Sequence, residues 1–256
     1  MKPATGAWRA ALLPLLVAVT ARAEEGIADL VEKIKPGIVG VGTYQRTRTP
    51  PQDFRGTGFI VGDGLHVLTN AHVLPATIDT SKLETLAIFV REGGKETLRA
   101  AALVEQDEQH DVALLKFGGN PLPALALGNS DKVREGDIYA FTGYPIGVVL
   151  GLHPATHRGM VSAITPSAIP VQQARQLNKA VFDRLHDPYD VFQLDATAYP
   201  GNSGSPLYDM KTGHVVGILN QVFVKETKES ILSKPSGISY AIPIRYADSL
   251  LKKNQR

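Results

Sequence analysis

The feature that most constrains the fold is a series of short segments rich in β-branched and aromatic residues, separated by glycine, proline, asparagine and aspartate. Segments of this kind, bounded by turn-forming residues, are typical of β-strands joined by short loops. They occur in both halves of the chain, so the pattern predicts an all-β protein. We expect strands at residues 38–44, 57–62, 65–69, 85–90, 97–105 and 111–117, and again at 138–142, 158–164, 191–195, 204–208, 214–220 and 238–243.

Chain length decides whether such strands can form a stable core without covalent support. The 256 residues include no cysteine, so disulfides cannot stabilise this fold. About 230 residues follow the predicted leader described next, which is enough for a core held by hydrophobic burial alone. The same length suits a single all-β unit made of two packed barrels.

The first 23 residues have the pattern of a secretory signal peptide. Lys2 and Arg9 precede an apolar run at 10–20, and Ala21-Arg22-Ala23 is an A-x-A cleavage site. The run is too short to span a bilayer, and no later run approaches the ~20 apolar residues of a membrane helix. We expect an exported protein, periplasmic or secreted, that begins near Glu24; the alternative for the first 23 residues is a buried N-terminal helix.

Charge argues against a nucleic-acid partner. The whole chain has a formal net charge of +2, but after loss of the predicted leader 24 basic and 25 acidic residues remain, a net charge of −1. No basic stripe is present, so no nucleic-acid binding is expected.

Three segments outside the strands have patterns of their own. Apolar residues recur at helical spacing from Ile27 to Ile34, and Pro36-Gly37 ends that helix. Residues 45–56 are polar and proline-rich and are predicted to form a loop. In 165–190, Ala174, Leu177, Val181 and Leu185 predict an inserted amphipathic helix, which either packs on a barrel surface or binds a regulatory partner.

The stretch Y-P-G-N-S-G-S-P-L at 199–207 has the properties of a nucleophile loop. An acyl-transfer serine needs a hydroxyl on a tight turn and N–H groups directed at the oxyanion that forms when it attacks a carbonyl. Ser203 lies between Gly201-Asn202 and Gly204, and the backbone of Gly201, Asn202 and Ser203 is the predicted oxyanion hole. Ser205 is the rival hydroxyl, but no glycine stands two residues before it, so it is expected to be structural.

Two upstream residues supply the partners that such a serine requires. His72 follows a β-rich run in L-T-N-A-H-V-L, and Asp111 opens the apolar strand in H-D-V-A-L-L-K-F. Histidine has the pKa of a general base, and a carboxylate holds its tautomer. The order His72, Asp111, Ser203 along the chain is the order of chymotrypsin, distinct from that of subtilisins and α/β-hydrolases.

Five blocks of sequence resemble, in order, the trypsin-like serine peptidases of the chymotrypsin fold and, among them, the HtrA/Deg protease domain. The resemblance implies two packed six-stranded antiparallel β-barrels, about 38–120 and 130–245, with short flanking helices and a helical insert. It also implies a catalytic triad in the cleft between the barrels. The blocks are residues 57–74, 110–117, 159–164, 192–207 and 237–244.

Two features depart from the HtrA pattern. Ser205 stands where HtrA members usually carry glycine, and G-N-S-G-S-P is more similar to secreted glutamyl endopeptidases of the same fold. The chain also stops soon after its last predicted strand, so no PDZ domain is expected.

The resemblance also indicates the residues of the primary specificity pocket. A pocket for lysine or arginine would need a carboxylate at Thr197, and glutamyl endopeptidases place a histidine where Leu219 stands. We therefore expect cleavage after small or medium-sized apolar residues. The predicted lining residues are Thr197, Ala198, Leu219, Asn220, Gln221 and Val222.

The sequence thus predicts an exported serine endopeptidase that acts on protein or peptide substrates. The other histidines form no metal-ligand spacing and no H-E-x-x-H motif occurs, so neither a metal nor another cofactor is expected. A homo-oligomer is compatible with the sequence. The alternative is an inactive binding or chaperone-like module on a protease fold, which the retention of all three triad residues disfavours.

Overall fold

The computed structural model describes residues 26–145, 153–167, 187–220 and 237–254. Its twelve strands form two closed antiparallel barrels with the same strand order, β1-β2-β3-β6-β5-β4 and β7-β8-β9-β12-β11-β10, which confirms the predicted fold class. The first barrel contains β1 Ile38–Tyr44, β2 Gln52–Val61, β3 His66–Thr69, β4 Thr85–Glu92, β5 Lys95–Asp107 and β6 Val112–Phe117. The second contains β7 Ile138–Gly143, β8 Ala155–Pro166, β9 Asp190–Leu194, β10 Pro206–Asp209, β11 Val215–Asn220 and β12 Ser239–Pro243.

Two short helices flank the barrels. Helix α1, Ile27–Ile34, packs Leu30 and Ile34 into the core and passes through a 3₁₀ turn into β1, as the sequence predicts. Helix α2, Asp248–Asn254, follows the last strand. No helix in the described residues is long and apolar enough to cross a bilayer. The predicted leader at 1–23 and the predicted helix around 174–185 lie outside the described residues.

One loop prediction is wrong in part. Residues 52–56 were expected to belong to a polar loop, but they open β2 and pair with the end of β1, where Tyr44 lies opposite Gln52. The pairing shifts by one residue at Val41/Gly42, as in a β-bulge. Local polarity predicts a loop here, whereas backbone hydrogen bonding to a neighbouring strand makes polar residues part of the sheet.

Apolar residues form an interior for each barrel and a third cluster where the barrels meet. The third cluster combines first-barrel residues such as Phe59 and Leu68 with second-barrel residues such as Tyr208 and Ile218. The connecting segment follows both barrels, because Leu125 N–H donates to Ile60 O (2.9 Å) and Val215 N–H donates to the carbonyl of Ala126 (2.9 Å). The two barrels are therefore packed closely against each other.

Candidate active site

Strand pairing brings the predicted base and its carboxylate together. Strands β3 and β6 are antiparallel neighbours, and Thr69 at the end of β3 lies opposite Ala113 near the start of β6. His72 lies in a 3₁₀ turn just after β3, and Asp111 directly precedes β6. Residues 39 positions apart in sequence are thus adjacent at one end of the first barrel.

The carboxylate of Asp111 holds His72 at two points. Asp111 Oδ2 lies 2.6 Å from His72 Nδ1, and Asp111 Oδ1 accepts the backbone N–H of His72 at 2.8 Å. This arrangement requires a proton on Nδ1 in the neutral imidazole, which leaves Nε2 as the acceptor. The Asp111 side chain is 6% exposed and that of His72 is 29% exposed, so the base faces the cleft and its partner lies behind it.

Asp111 adopts an unusual backbone conformation. Its φ is +55°, in the left-handed region that non-glycine residues seldom occupy. Its carbonyl oxygen accepts from Ala71 N–H (3.2 Å) and from the Asn70 side-chain amide (3.0 Å). The segment that carries the base therefore also stabilises the backbone of the carboxylate.

A residue from the second barrel completes the surroundings of Asp111. Asn220, at the end of β11, is buried and donates from Nδ2 to Asp111 Oδ2 at 2.6 Å. The sequence assigned Asn220 to the substrate pocket, whereas the structure places its amide on the triad carboxylate. Only the folded arrangement of the two barrels shows this contact.

Ser203 lies in a loop whose shape depends on glycine. Gly201 and Gly204 have φ values of +99° and +89°. The Gly204 N–H donates to the carbonyl of Leu219 (2.9 Å), and the Leu219 N–H donates to the carbonyl of Ser205 (2.8 Å), which fastens the loop to β11. Ser203 is 5% exposed, whereas Ser205 is fully buried and its hydroxyl has no hydrogen-bond partner in the described residues.

The three backbone donors predicted for the oxyanion hole are not equivalent. The Asn202 N–H donates to the carbonyl of Tyr199 at 3.0 Å, which closes a turn inside the loop. No acceptor for the Gly201 N–H occurs in the parts of the chain that the structure describes. The Asn202 N–H is therefore already used within the loop, which does not fit the donor role predicted for it.

Thr57 connects the nucleophile loop to the first barrel. Its N–H donates to Ser203 O (2.8 Å) and its hydroxyl donates to Gly201 O (2.6 Å). The same hydroxyl accepts from Tyr144 N–H (3.0 Å), and the side chain is fully buried. Sequence reasoning missed Thr57, although it opens the block 57–74 that carries the family resemblance.

Gly56 shows how close Ser203 lies to the segment of His72. A Cβ placed on Gly56 would lie 2.9 Å from the carbonyl oxygen of Ser203 and 2.7 Å from a methyl group of Val73. Gly56 therefore fills the narrow space between the nucleophile loop and the residue after the base. The structure brings the three predicted triad segments to one place in the cleft.

The other predicted pocket residues have different positions. Thr197 is half-buried, and Ala198 and Leu219 pack in the interior of the second barrel, where Leu219 is fully buried. Gln221 and Val222 lie outside the described residues. Among the described side chains, no group of three histidine, aspartate or glutamate residues is placed to hold a metal ion.

Comparison with known proteins identifies the family. A model of the trypsin-like peptidase domain matches residues 56–218. A curated "probable periplasmic serine endoprotease DegP-like" from Pseudomonas putida is 34% identical over 280 residues, which cover 93% of this chain and 51% of the relative. Another protein of that name, from Chlamydia trachomatis, is 31% identical and covers 84% of this chain and 38% of the relative.

Solved structures agree with this result. The "HtrA-type protease AlgW with tripeptide" is 29% identical with a TM-score of 0.62, and covers 89% of this chain and 63% of that one. The same protease with a decapeptide is 26% identical with a TM-score of 0.64, and covers 89% and 67%. This chain spans about half the length of the Pseudomonas putida relative, and less of the Chlamydia trachomatis one. On the matched domain and the shared two-barrel fold, the chain belongs to the family of trypsin-like peptidases.

Proposed function

We propose that this chain is a serine endopeptidase in which Ser203 is the nucleophile, His72 the general base and Asp111 the group that orients the base. The observation that carries the proposal is the two-point hold of Asp111 on His72, at 2.6 and 2.8 Å. It fixes the imidazole with Nε2 as the acceptor. The neighbouring loop, whose conformation depends on the positive φ of Gly201 and Gly204, carries Ser203. The names of the DegP-like relatives and the AlgW structures with peptides support the same activity.

The chemistry follows from these positions. Ser203 Oγ attacks the peptide carbonyl while His72 Nε2 takes its proton, and the same nitrogen then protonates the leaving amine. Asp111 keeps its charge and stabilises the imidazolium, because it accepts from Nδ1–H without taking the proton. In the second step His72 takes a proton from water as the water attacks the acyl-enzyme, and it then returns the proton to Ser203 Oγ.

Charge on the carbonyl oxygen is stabilised by backbone donors. The N–H groups of Gly201 and Ser203 are assigned this role, because the N–H of Asn202 is used within its own turn. The hydrogen bond from Thr57 Oγ1 to Gly201 O fixes the peptide unit between Gly201 and Asn202, which lies between the two assigned donors. The oxyanion hole would therefore be set before substrate binds.

Specificity is proposed for small or medium-sized apolar residues before the scissile bond. Thr197 supplies no carboxylate for a basic side chain, and the burial of an unpaired ammonium or guanidinium would be costly. The neighbouring residues Ala198 and Leu219 are apolar and buried. Export is proposed from the pattern of the first 23 residues together with the periplasmic names of the relatives.

The test is digestion of β-casein by the protein produced from Glu24 onward, with the fragments mapped by mass spectrometry. We expect cuts at internal bonds after residues such as alanine, valine or leucine, and none with Ser203→Ala. Cutting that persists in Ser203→Ala would overturn the catalytic assignment. A profile dominated by arginine, lysine or glutamate before the cut would overturn the specificity. N-terminal sequencing of the natively exported protein should start near Glu24, and a start at Met1 would refute the leader.

A further inference from the structure

The hairpin loop that carries Asp111 is held by a side chain that takes no part in the triad. Strand β5 ends at Asp107 and β6 begins at Val112, and these two residues lie opposite each other. The loop between them, residues 108–111, is short, so each of its residues lies within three positions of Asp111. His110 is the residue immediately before it.

His110 is fixed at its own end of the loop by Asp107. Asp107 Oδ2 lies 2.7 Å from His110 Nδ1, and Asp107 Oδ1 accepts the His110 backbone N–H at 3.1 Å. Burial by itself raises the pKa of Asp107, but the hydrogen bonds from the His110 ring and N–H together hold that pKa below its usual value. The contacts between Asp107 and His110 are of the same kind as those between Asp111 and His72. In both pairs one carboxylate oxygen contacts Nδ1 and the other accepts the backbone N–H of the histidine.

The ring of His110 is clamped by aromatic residues of the second barrel. It stacks on Tyr246 with ring centroids 4.3 Å apart and planes at 13°, and it meets Tyr189 at 4.7 Å and 59°. Tyr189 and Tyr246 contact each other edge to face at 5.1 Å. Tyr189 directly precedes β9, and Tyr246 lies in the 3₁₀ turn that follows β12.

We propose that His110 is a positioning residue that acts through Asp111: clamped between Asp107 and the second-barrel rings of Tyr246 and Tyr189, it holds the hairpin loop so that the carboxylate of Asp111 stays on His72. The left-handed φ of Asp111, +55°, is the reason such a hold is needed. That conformation is unfavourable for a residue with a Cβ relative to the right-handed one, so an unrestrained loop would relax away from it. This inference rests on the triad proposed above.

The chain contains a matched control. His66 and Asp63 form a second Asp-x-x-His pair, with Nδ1 and Oδ1 2.8 Å apart, at the turn between β2 and β3. In the described residues His66 makes no aromatic ring contact, and its loop carries no triad residue. The two pairs have the same spacing and the same side-chain contact, but Asp63 accepts the N–H of Leu65 and not that of His66. They also differ in the aromatic clamp and in the neighbouring residue.

The test measures the second-order rate constant for labelling by a fluorophosphonate probe, alongside the thermal midpoint, in His110→Ala, Tyr246→Ala and His66→Ala. We expect labelling about tenfold slower in His110→Ala, below the ~10²-fold that a 1 Å misplacement of a catalytic group can cost. We expect the wild-type rate in His66→Ala. His110→Phe and Tyr246→Phe, which keep the stacked rings, should recover the rate to within about threefold of wild type.

The double variant His110→Ala/Tyr246→Ala separates positioning from general destabilisation. Because both side chains act through one contact, the double variant should label no more slowly than the slower single variant. Multiplied effects, a wild-type rate in His110→Ala, or equal slowing in His66→Ala would each overturn the inference. Absence of labelling in the wild-type protein would instead refute the proposed triad, so the two failures are distinguishable.

Discussion

The two barrels position the proposed catalytic groups in different ways. The first barrel holds His72 and Asp111 by hydrogen bonds between polar side chains and backbone, on loops next to paired strands. The second barrel holds Ser203 by backbone shape, through the positive φ values of Gly201 and Gly204 and the pairing of the loop with β11. Substitutions that remove polar groups should therefore impair the first-barrel part of the site most. Substitutions that add atoms at glycine should impair the second-barrel part most.

The largest expected effect is on the second-barrel side, in Gly204→Ala. A Cβ at Gly204 would collide with the carbonyl oxygen of Thr57 and lie 2.5 Å from Thr69 Oγ1. We expect little soluble protein and no fluorophosphonate labelling. The matched control is Gly94→Ala, because Gly94 has a similar φ of +81° with nothing within 4 Å of the added Cβ. That control should lose only about 1–2 kcal/mol of stability; equal behaviour of the two variants would show that the collision does not matter.

The next effect concerns the polar contacts of Asp111, in Asn220→Ala, because the Asn220 amide reaches that carboxylate from the second barrel. This change removes the 2.6 Å hydrogen bond to Asp111 Oδ2. Hydrogen bonds to charged groups contribute about 1.5–3 kcal/mol, which corresponds to a fall in kcat/KM of roughly tenfold to a hundredfold. Asn220→Asp should be worse, because it brings a second carboxylate against the first. Unchanged kcat/KM in both variants would contradict the role given to Asn220.

A smaller effect is expected where the loop of Ser203 meets the first barrel, in Thr57→Val. The variant keeps the backbone bond to Ser203 O but leaves Gly201 O and Tyr144 N–H without the buried hydroxyl. We expect the free energy of unfolding to fall by about 1–3 kcal/mol in a denaturant titration, with a parallel loss of activity. Thr97→Val is the control, because Thr97 is an exposed threonine in β5 whose hydroxyl donates to the side chain of Glu92. If the two variants have the same free energy of unfolding, the Thr57 hydroxyl does not stabilise the contact between the first barrel and the loop of Ser203.

The smallest effect is the dependence of stability on pH, which arises from a different titrating group in each barrel. Burial against Phe141 lowers the pKa of His157 in the second barrel below its usual 6.5. As pH falls below 6.5 the unfolded chain takes up this proton before the folded protein does, so stability should fall. His157→Phe should reduce the drop in thermal midpoint between pH 7.5 and 5.5, whereas His214→Phe, at an exposed site, should not. An unchanged drop in His157→Phe would show that other groups cause it.

Acid should act on the first barrel at lower pH. The hydrogen bond from Thr43, aided by Arg48, holds the pKa of Glu84 below its usual 4.5. A carboxyl group with a lowered pKa stabilises the fold above that value and loses its contribution as pH falls through the folded pKa. As pH falls, the His157 effect should therefore begin below 6.5 and the Glu84 effect only below 4.5.

Sequence predicted the parts of this molecule that depend on local pattern. Most strand positions agree with the structure to within two or three residues, and His72 and Asp111, chosen from short runs of sequence, are in contact. The strand at 52–56 was missed, since its polar side chains give no alternation and its pairing partner is decided by the fold. The contacts of Asn220, Thr57 and His110 between the barrels were also missed, because each joins residues more than 70 positions apart, which no local pattern encodes.

The most direct test of the account is site identification after fluorophosphonate labelling of the protein that begins at Glu24. Peptide mapping by mass spectrometry should place the probe on Ser203. Ser203→Ala should abolish labelling, whereas Ser205→Ala, which removes the buried rival hydroxyl, should still be labelled. Absence of labelling in the wild-type protein, or labelling that survives Ser203→Ala, would contradict the assignment of Ser203 as the nucleophile.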